Sequence, residues 1–582
     1  MSSFKLPQLD TSSTRKAELD LMRSEYAYNM EYGAPIGAIV HDRDKAGTIW
    51  TIKLLQAMFK VRSNTEAVIQ KSAWSMTKPM PQKSPKELAE LLLKKDLRPL
   101  LAYYIPDLGQ LTNGGRPNSL DDYQLVFQKV EKTYASAHFL DDKYFAQSFV
   151  TGPNPNMFSK LLTVPSNFPI TNLIFRKTPA FATDDLNQAI AEGRVFISDY
   201  KMLSSMVPGM HPQQQKKYMF APIVLFAREK AGKDLVPFAI QCGQDPAAFP
   251  IMTPVDNWSW QIAKGTAWVA HYCYQELLTH LGFTHLLMEP MVLATRRMLH
   301  ANHPLSGLLL PHFEGTMPIN SLAITSLIQD GQAVDRLIGS NRNSNYGLIA
   351  KHRLAYSFNS NFLPTRLQNS GVASAKDLPN YPYRDDALPI WQAIHNWVAA
   401  YVDVYYPNDG AVRADFEVQA WAADISSNEG GRVLDFASNG GVNDKNQLID
   451  VCTMIIFTGG PQHAAVNFPQ LTDLSFLPGG PMAGYRPAPE NTSLTEQDYL
   501  NFLPPLDVAL KQWQTIQFLG TAYYTKLGLY NLGHFTNLKV LAASAKFIAE
   551  LIKIEFNINA RNKTRLPYEH LLPSRIPQST NI

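Results

Sequence analysis

The chain has 582 residues, of which 45% are hydrophobic, 11% aromatic and 18% charged, and 53 Lys and Arg against 50 Asp and Glu leave a net charge of +3. So much apolar material with so little charge excludes a disordered chain, and a balance this close to zero excludes the basic footprint of a nucleic-acid-binding protein. Cys242, Cys273 and Cys452 lie far apart and offer neither a disulfide framework nor a CxxC metal site. Met1 to Pro7 contain no apolar secretory stretch, and no run of about 18 apolar residues predicts a membrane-spanning helix. A cytoplasmic protein is expected, with peripheral membrane contact left open.

In chain order, residues 15–30 and 45–70 read as amphipathic helices. Leu54, Leu55, Met58 and Phe59 form an apolar stripe on the second; docking on a core is its ordinary use, and touching a membrane the alternative. Ser84-Pro85-Lys86-Glu87 is a capping box with proline at the first helical position, opening a helix through Lys95. Residues 121–145 are predicted helical, and Gly152-Pro153-Asn154-Pro155-Asn156 breaks the chain. Residues 217–227 and 235–241 predict two strands of a hairpin about Ala231-Gly232-Lys233-Asp234. Helical spacing resumes at Trp260 and continues through 318–339, 389–406, 413–425, 444–468, 506–526 and 537–557. Residues 340–388 and 469–500 read as irregular. The expected fold class is mostly α with a few small β-strands: a helical N-terminal extension, residues 1–60, packed on a large domain, 61–582.

His280 and His285 stand five apart in an apolar, helix-favouring segment. On a regular α-helix that spacing splays two side chains by roughly 140°. They can share one ion only if the turn widens, as in a π-type bulge, and Gly282 lies between them where the backbone would relax. Two packed core histidines fit the spacing equally well. His463 and Asn467, at i and i+4, share a helix face. Gly459-Gly460-Pro461 just before them should kink or restart that helix. Taken alone, such a pair is more often a hydrogen-bonded core pair. The sequence ends on Ile582, whose α-carboxylate would suit a hard cation if its side chain were anchored inside; a frayed end is the usual fate. Together, three imidazoles, an amide oxygen and a carboxylate would leave one open position, a donor set suited to non-haem iron or manganese.

These residues resemble the lipoxygenase family, from about Trp50 to Ile582. The resemblance rests on Trp260-Gln261-Ile262-Ala263-Lys264, the His280/His285 segment, His303-Pro304, Leu309-Leu310-Pro311-His312, His463 to Asn467, Tyr568-Glu569-His570-Leu571-Leu572-Pro573-Ser574 and the final isoleucine. It implies His280, His285, His463, Asn467 and the carboxylate of Ile582 as ligands of one iron, manganese remaining open. It further implies Gln470 as the amide that orients Asn467. Ala323 falls where alanine accompanies S-configured products, and Leu327 and Leu503 where leucines clamp the substrate. Leu337 and Ile338 fall where bulk limits pocket depth, and Arg486 where a basic residue can close the pocket base. Gln275 stands where a histidine is usual, Gly282 replaces a leucine, and Gly459-Gly460-Pro461 replaces small helix-compatible residues.

The first 60 residues read as helices, so a compact bacterial-type member without an N-terminal β-sandwich is expected. The resemblance implies action on polyunsaturated fatty acids with a Z,Z-1,4-pentadiene, such as linoleate, linolenate or arachidonate, and on O2; a monomer is expected. Hydrogen-atom abstraction by a ferric hydroxide, followed by oxygen addition, would give conjugated hydroperoxides. Alternatives on the same fold are a hydroperoxide isomerase making epoxyalcohols and a non-catalytic lipid-binding protein.

Overall fold

One helical column, residues 257–298, runs through the core. In the computed structural model, which describes residues 4–10, 12–45, 47–94, 97–436 and 441–582, it comprises an α-helix Asn257–Tyr274, a π-helical stretch Gln275–His285 and an α-helix Leu286–Met298. The first part is buried on nearly every side, with Trp260, Ala263, Ala267, Trp268, Val269 and Tyr272 all inside, as befits a central helix. The stretch Pro254–Met298 is long and apolar enough to cross a membrane, but 89% of its most apolar window is buried inside the protein. It ends on Arg296 and Arg297, which favour a helix C-terminus and pair with Asp44 and Asp424.

A second interrupted helix follows the same design: Lys445–Phe457, a π turn Thr458–Gln462, then His463–Asn467. Asp444 caps it, Oδ1 accepting from Gln447 N–H at 2.8 Å. The Gly459-Gly460-Pro461 triplet therefore widens this helix rather than restarting it.

The two predicted strands are Ile223–Ala227 and Val236–Gln241, antiparallel with Val224 opposite Ile240. They belong to a five-stranded antiparallel sheet whose other members are Ser159–Lys160, Val195–Asp199 and Ile251–Met252. Alternation along Ile223–Ala227 sends Val224 and Phe226 to the main core, and Ile223, Leu225 and Ala227 to a smaller core with Phe175, Phe181 and Phe238. Lys217, predicted in the first strand, instead pairs in a separate two-stranded ladder with Gly209.

Several boundaries differ from expectation. Residues 121–145 are not one helix. Leu120–Val126 is 3-10, and the chain then loops before Ala135–His138 and Asp142–Thr151. The reason is buried Asn64. Its side-chain oxygen accepts from Gln128 and Lys129 N–H at 3.1 and 2.6 Å, and its nitrogen donates to Val126 C=O at 2.8 Å, taking groups a continuing helix would use. Residues 340–388 hold helices Arg342–Leu354, Leu363–Asn369 and the start of Pro382–Tyr405. Pro389, read as a helix start, sits inside the last of these, which begins at another proline seven residues earlier. The 318–339 segment is split into Thr316–Ser326 and Ala333–Leu337. The capping box holds, Ser84 N–H donating to Glu87 Oε2 at 2.7 Å ahead of helix Pro85–Lys94; Lys95 lies outside the described residues. Helix Thr48–Ser72 runs straight through residue 60 and buries Leu54 and Met58, but Phe59 faces solvent.

Candidate metal centre

The π stretch does what the spacing of His280 and His285 required. It brings their Nε2 atoms to 3.2 Å from each other, where a regular helix would have turned them apart. His463 approaches from the second helix. Its ring centroid lies 5.4 Å from that of His280 and 5.0 Å from that of His285. One nitrogen from each of the three rings fits within a span of 4.8 Å, and all three are buried.

The outward nitrogens of two rings are engaged. His280 Nδ1 lies 3.2 Å from Glu276 Oε2, one turn back. His285 Nδ1 lies 2.7 Å from Asn320 Oδ1. Asn320 Nδ2 donates to His285 C=O and, at 2.6 Å, to Glu289 Oε2, and Glu289 in turn accepts from Gly37 N–H at 2.7 Å. Such contacts fix the tautomer and leave Nε2 free to face an ion. His463 has neither nitrogen hydrogen-bonded.

Burial comes first among the causes that hold His285 and His463 neutral, with the neighbouring imidazoles second. His285 is pushed down to about 3 and His463 well below the ordinary imidazole range. The main chain of Ile582 is the one neighbour acting on His463 in the opposite sense. Neutral imidazoles are the form that binds metal. Burial likewise lifts Glu289 to about 7 against the bonds from Gly37 and Asn320.

Asn467 is buried one turn beyond His463. Its Nδ2 donates to Leu519 C=O at 3.0 Å, which leaves Oδ1 with one long contact, Gln470 Nε2 at 3.4 Å. Gln470 Oε1 is buried without a partner. Gln275 Nε2 donates to Val466 C=O at 2.7 Å and so ties the π stretch to the His463 helix.

The chain end enters from the side. Ser579 Oγ donates to Glu314 C=O, Thr580 Oγ1 to Gly459 C=O and Trp50 Nε1 to Asn581 C=O, at 2.6, 3.1 and 2.7 Å. Ile582 is 1% exposed. A Cβ on Gly460 would come within 2.9 Å of Pro577 C=O, so the second glycine of the triplet makes room for the tail.

The other expected residues divide. Asn320, Ala323 and Leu327 follow one face of helix Thr316–Ser326 and its cap, from the His285 contact to a surface groove that Leu327 lines. Val334 N–H donates to Leu327 C=O at 3.0 Å, and the short helix it opens carries Leu337 and Ile338 into the core. Leu503 is fully buried, its C=O accepting from Arg116 Nη1 at 3.0 Å. Arg486 is exposed, in a different depression with Arg116, Lys216 and Tyr218. Sequence reasoning missed Glu276, Asn320 and Glu289. The signals were a carboxylate four before His280, another four after His285, and a lone amide inside an apolar helix.

The donor set fits a metal ion. A fully buried imidazole with both nitrogens unpartnered forfeits on the order of 1–3 kcal/mol, and a metal bond to one of them would restore it.

The profile of the family described as Lipoxygenase matches residues 123–573. The chain is 38% identical to a linoleate 9/13-lipoxygenase from Pseudomonas aeruginosa, over 81% of this chain and 71% of that protein. It is 31% identical to the hydroperoxide isomerase ALOXE3 from Homo sapiens, over 81% and 67%. The crystal structure of a coral 8R-lipoxygenase superposes with a TM-score of 0.85 at 27% identity, covering 100% of this chain and 83% of that one. The chain belongs to the lipoxygenase family. It is a dioxygenase by that membership, and the family generally uses non-haem iron.

Proposed function

We propose that the protein binds one non-haem iron through His280, His285, His463, Asn467 and the α-carboxylate of Ile582, and converts polyunsaturated fatty acids and O2 to conjugated, S-configured hydroperoxides. The observation that carries this reading is the trio of buried imidazoles within 4.8 Å, its third member hydrogen-bonded to nothing. A family relative named for linoleate and a solved lipoxygenase in complex with arachidonate support the substrate class. Iron held there supplies the one-electron oxidation that removes a hydrogen atom from the bis-allylic carbon.

The chain's own residues do the rest. Glu276 and Asn320 aim the imidazoles, and Gln470 steadies the Asn467 amide. Leu327 and Leu503 clamp the pentadiene, and Leu337 and Ile338 limit how deep the chain reaches. About ten buried methylenes contribute roughly 8 kcal/mol, much of it offset by ordering and association. Apolar contact of that kind slides along a chain, so position needs a polar anchor. The methyl group of Ala323 occupies one side of the reacting carbon and directs O2 to the other.

The test is metal analysis of purified protein together with oxygen uptake on linoleate and arachidonate. Stoichiometric iron and ultraviolet absorbance of a conjugated diene are expected; metal-free protein, or no oxygen consumption, rejects the reading. The 31% identity to a hydroperoxide isomerase motivates a second reading, rearrangement of a fatty-acid hydroperoxide without net oxygen uptake, and the same assay supplied with hydroperoxide separates the two.

A further inference from the structure

We propose that the cleft between the N-terminal segment 43–53 and the turn Tyr523–Lys526 binds a phosphate-bearing anion, and that the bound anion stiffens the wall from which the chain end hangs. The link to the metal centre rests on the reading above; the binding itself does not. The cleft has a volume of about 790 Å³, and its walls carry five cationic side chains, Arg43, Lys45, Lys53, Arg296 and Lys526, against two carboxylates, Asp44 and Glu314.

Both carboxylates are engaged within the protein. Asp44 Oδ1 accepts from Arg296 Nε and Nη2 at 3.0 and 2.8 Å, and Glu314 accepts from the Tyr524 hydroxyl. Arg43 and Lys45 pair at 2.6 Å with Glu25 and Asp42, neither of which lines the cleft. Lys53, on helix Thr48–Ser72, and Lys526, on the turn, are left over. Among the described residues neither ammonium has a hydrogen-bond or ion-pair partner. Like charge gathered in a concave site raises the local concentration of anions. Two uncompensated ammonium groups, one on each wall, suit a doubly charged phosphate better than a single carboxylate, and lysine binds phosphate as a point charge.

The turn also carries the tail. Tyr524 C=O accepts from Asn581 Nδ2 at 3.1 Å, and Thr525 Oγ1 accepts from Gln578 N–H at 3.0 Å. Thr525 sits there at φ +63°, a left-handed conformation that a β-branched residue keeps only when its surroundings impose it. Tyr523 stacks on Phe468, with 4.0 Å between ring centroids, and Phe468 follows Asn467. Three successive residues of one wall therefore reach the supports of both oxygen ligands proposed for the metal. An anion shared by Lys526 and Lys53 would tie this wall to helix Thr48–Ser72, whose Trp50 already holds Asn581 C=O.

The test is binding of inorganic phosphate to the full chain by calorimetry, with ionic strength held constant by chloride. Wild type should bind phosphate at one site. Lys53→Met with Lys526→Met should weaken binding on the order of 10-fold or more. Lys177→Met with Lys233→Met, which removes the same charge from residues outside the cleft, should not. Hydrogen exchange should slow at residues 523–526 and 577–582 when phosphate is added, and should not slow in the Lys53/Lys526 variant. Equal weakening in the two double variants, or no binding by wild type, overturns the site, and binding without slower exchange overturns its action on the tail. Vesicles of phosphatidylcholine with and without phosphatidic acid separate the sources. Sedimentation with phosphatidic acid that inorganic phosphate competes away assigns the site to a lipid head group, and phosphate binding without it assigns the site to a soluble phosphate. Oxygen uptake on linoleate tests the reading above separately, because phosphate binding requires no turnover.

Discussion

His463 lies wholly inside the protein beside two other imidazoles, neither of its ring nitrogens is in hydrogen-bond geometry, and the Ile582 main chain is the one neighbour that favours its charged form. No packing argument favours that arrangement, because an alanine there would cost less without an ion. Ala323 is the opposite case: chemically inert, and significant only through its place on the helix between Asn320 and Leu327. Replacing it with glycine removes one methyl group and costs about 1 kcal/mol of helix stability. Ala323→Gly is expected to fold, to retain turnover and to move hydroperoxide chirality toward R. Chiral chromatography of the products checks it, and an unchanged ratio would free Ala323 from the stereochemical role. At this scale the histidines were legible because few other residue types bind metal and their spacing was odd. Asn320, Glu276 and Glu289 were not, because polar residues that support a ligand look in sequence like any buried polar group.

Elements deliver these residues, and the two π turns are where the helices depart from regularity. If widening is what brings His285 under His280, then removing one residue should undo it. Deleting Gly282 should return the segment to α-helical hydrogen bonding and rotate His285 by about 100°. Far-ultraviolet circular dichroism is expected to stay nearly unchanged while bound metal is lost; metal retained in full would mean the π geometry is incidental. The helix Phe416–Ser426 offers a stability counterpart remote from the metal. Asp415 Oδ1 caps it by accepting from Glu417 and Val418 N–H, while Oδ2 accepts from Tyr406 Oη and His303 Nε2 at 2.8 and 3.0 Å. Burial pushes this carboxyl up, but the bonds from His303, Tyr406 and Val418 outweigh it and hold the group below its usual range. A depressed carboxylate stabilises the fold above its unfolded value near 4 and loses that contribution as pH falls through the folded value. Asp415→Ala should therefore cost about 3 kcal/mol at neutral pH, from a lost cap and an orphaned buried donor. The gap from wild type in thermal unfolding should narrow below pH ~4. Helices with unbroken periodicity, such as Asn257–Tyr274, were readable in advance. The helix predicted over 121–145 was not refuted by anything local, since the side chain that dissolves it, Asn64, lies some sixty residues away.

Across the whole molecule, the centre depends on parts that are remote in sequence. The tail is pinned to Trp50 on helix Thr48–Ser72, to Glu314, to Gly459 in the second π turn, and to Tyr524 through Asn581 Nδ2 at 3.1 Å. Helix Thr48–Ser72 thus steadies the tail, and on the proposed ligand set it would act on the metal centre without contributing a ligand. Nothing in composition or periodicity announces this: the apolar Ile582 offered a carboxylate that could equally have frayed, and the family resemblance was what pointed it toward a metal. The pinning makes a sharp prediction. One added glycine after Ile582 would move the α-carboxylate onward by roughly 3.5 Å. The tail has no slack to absorb that shift, because Ser579, Thr580 and Asn581 are each held by a bond to a different element. The extended chain should therefore fold with an unfolding temperature close to wild type but bind iron poorly, as read by metal analysis. Trp50→Phe, which removes one bond of about 1 kcal/mol and keeps the carboxylate, should lower iron content only partly. Full iron in the extended chain would show that the carboxylate is no ligand, and that His463 is completed by some other group.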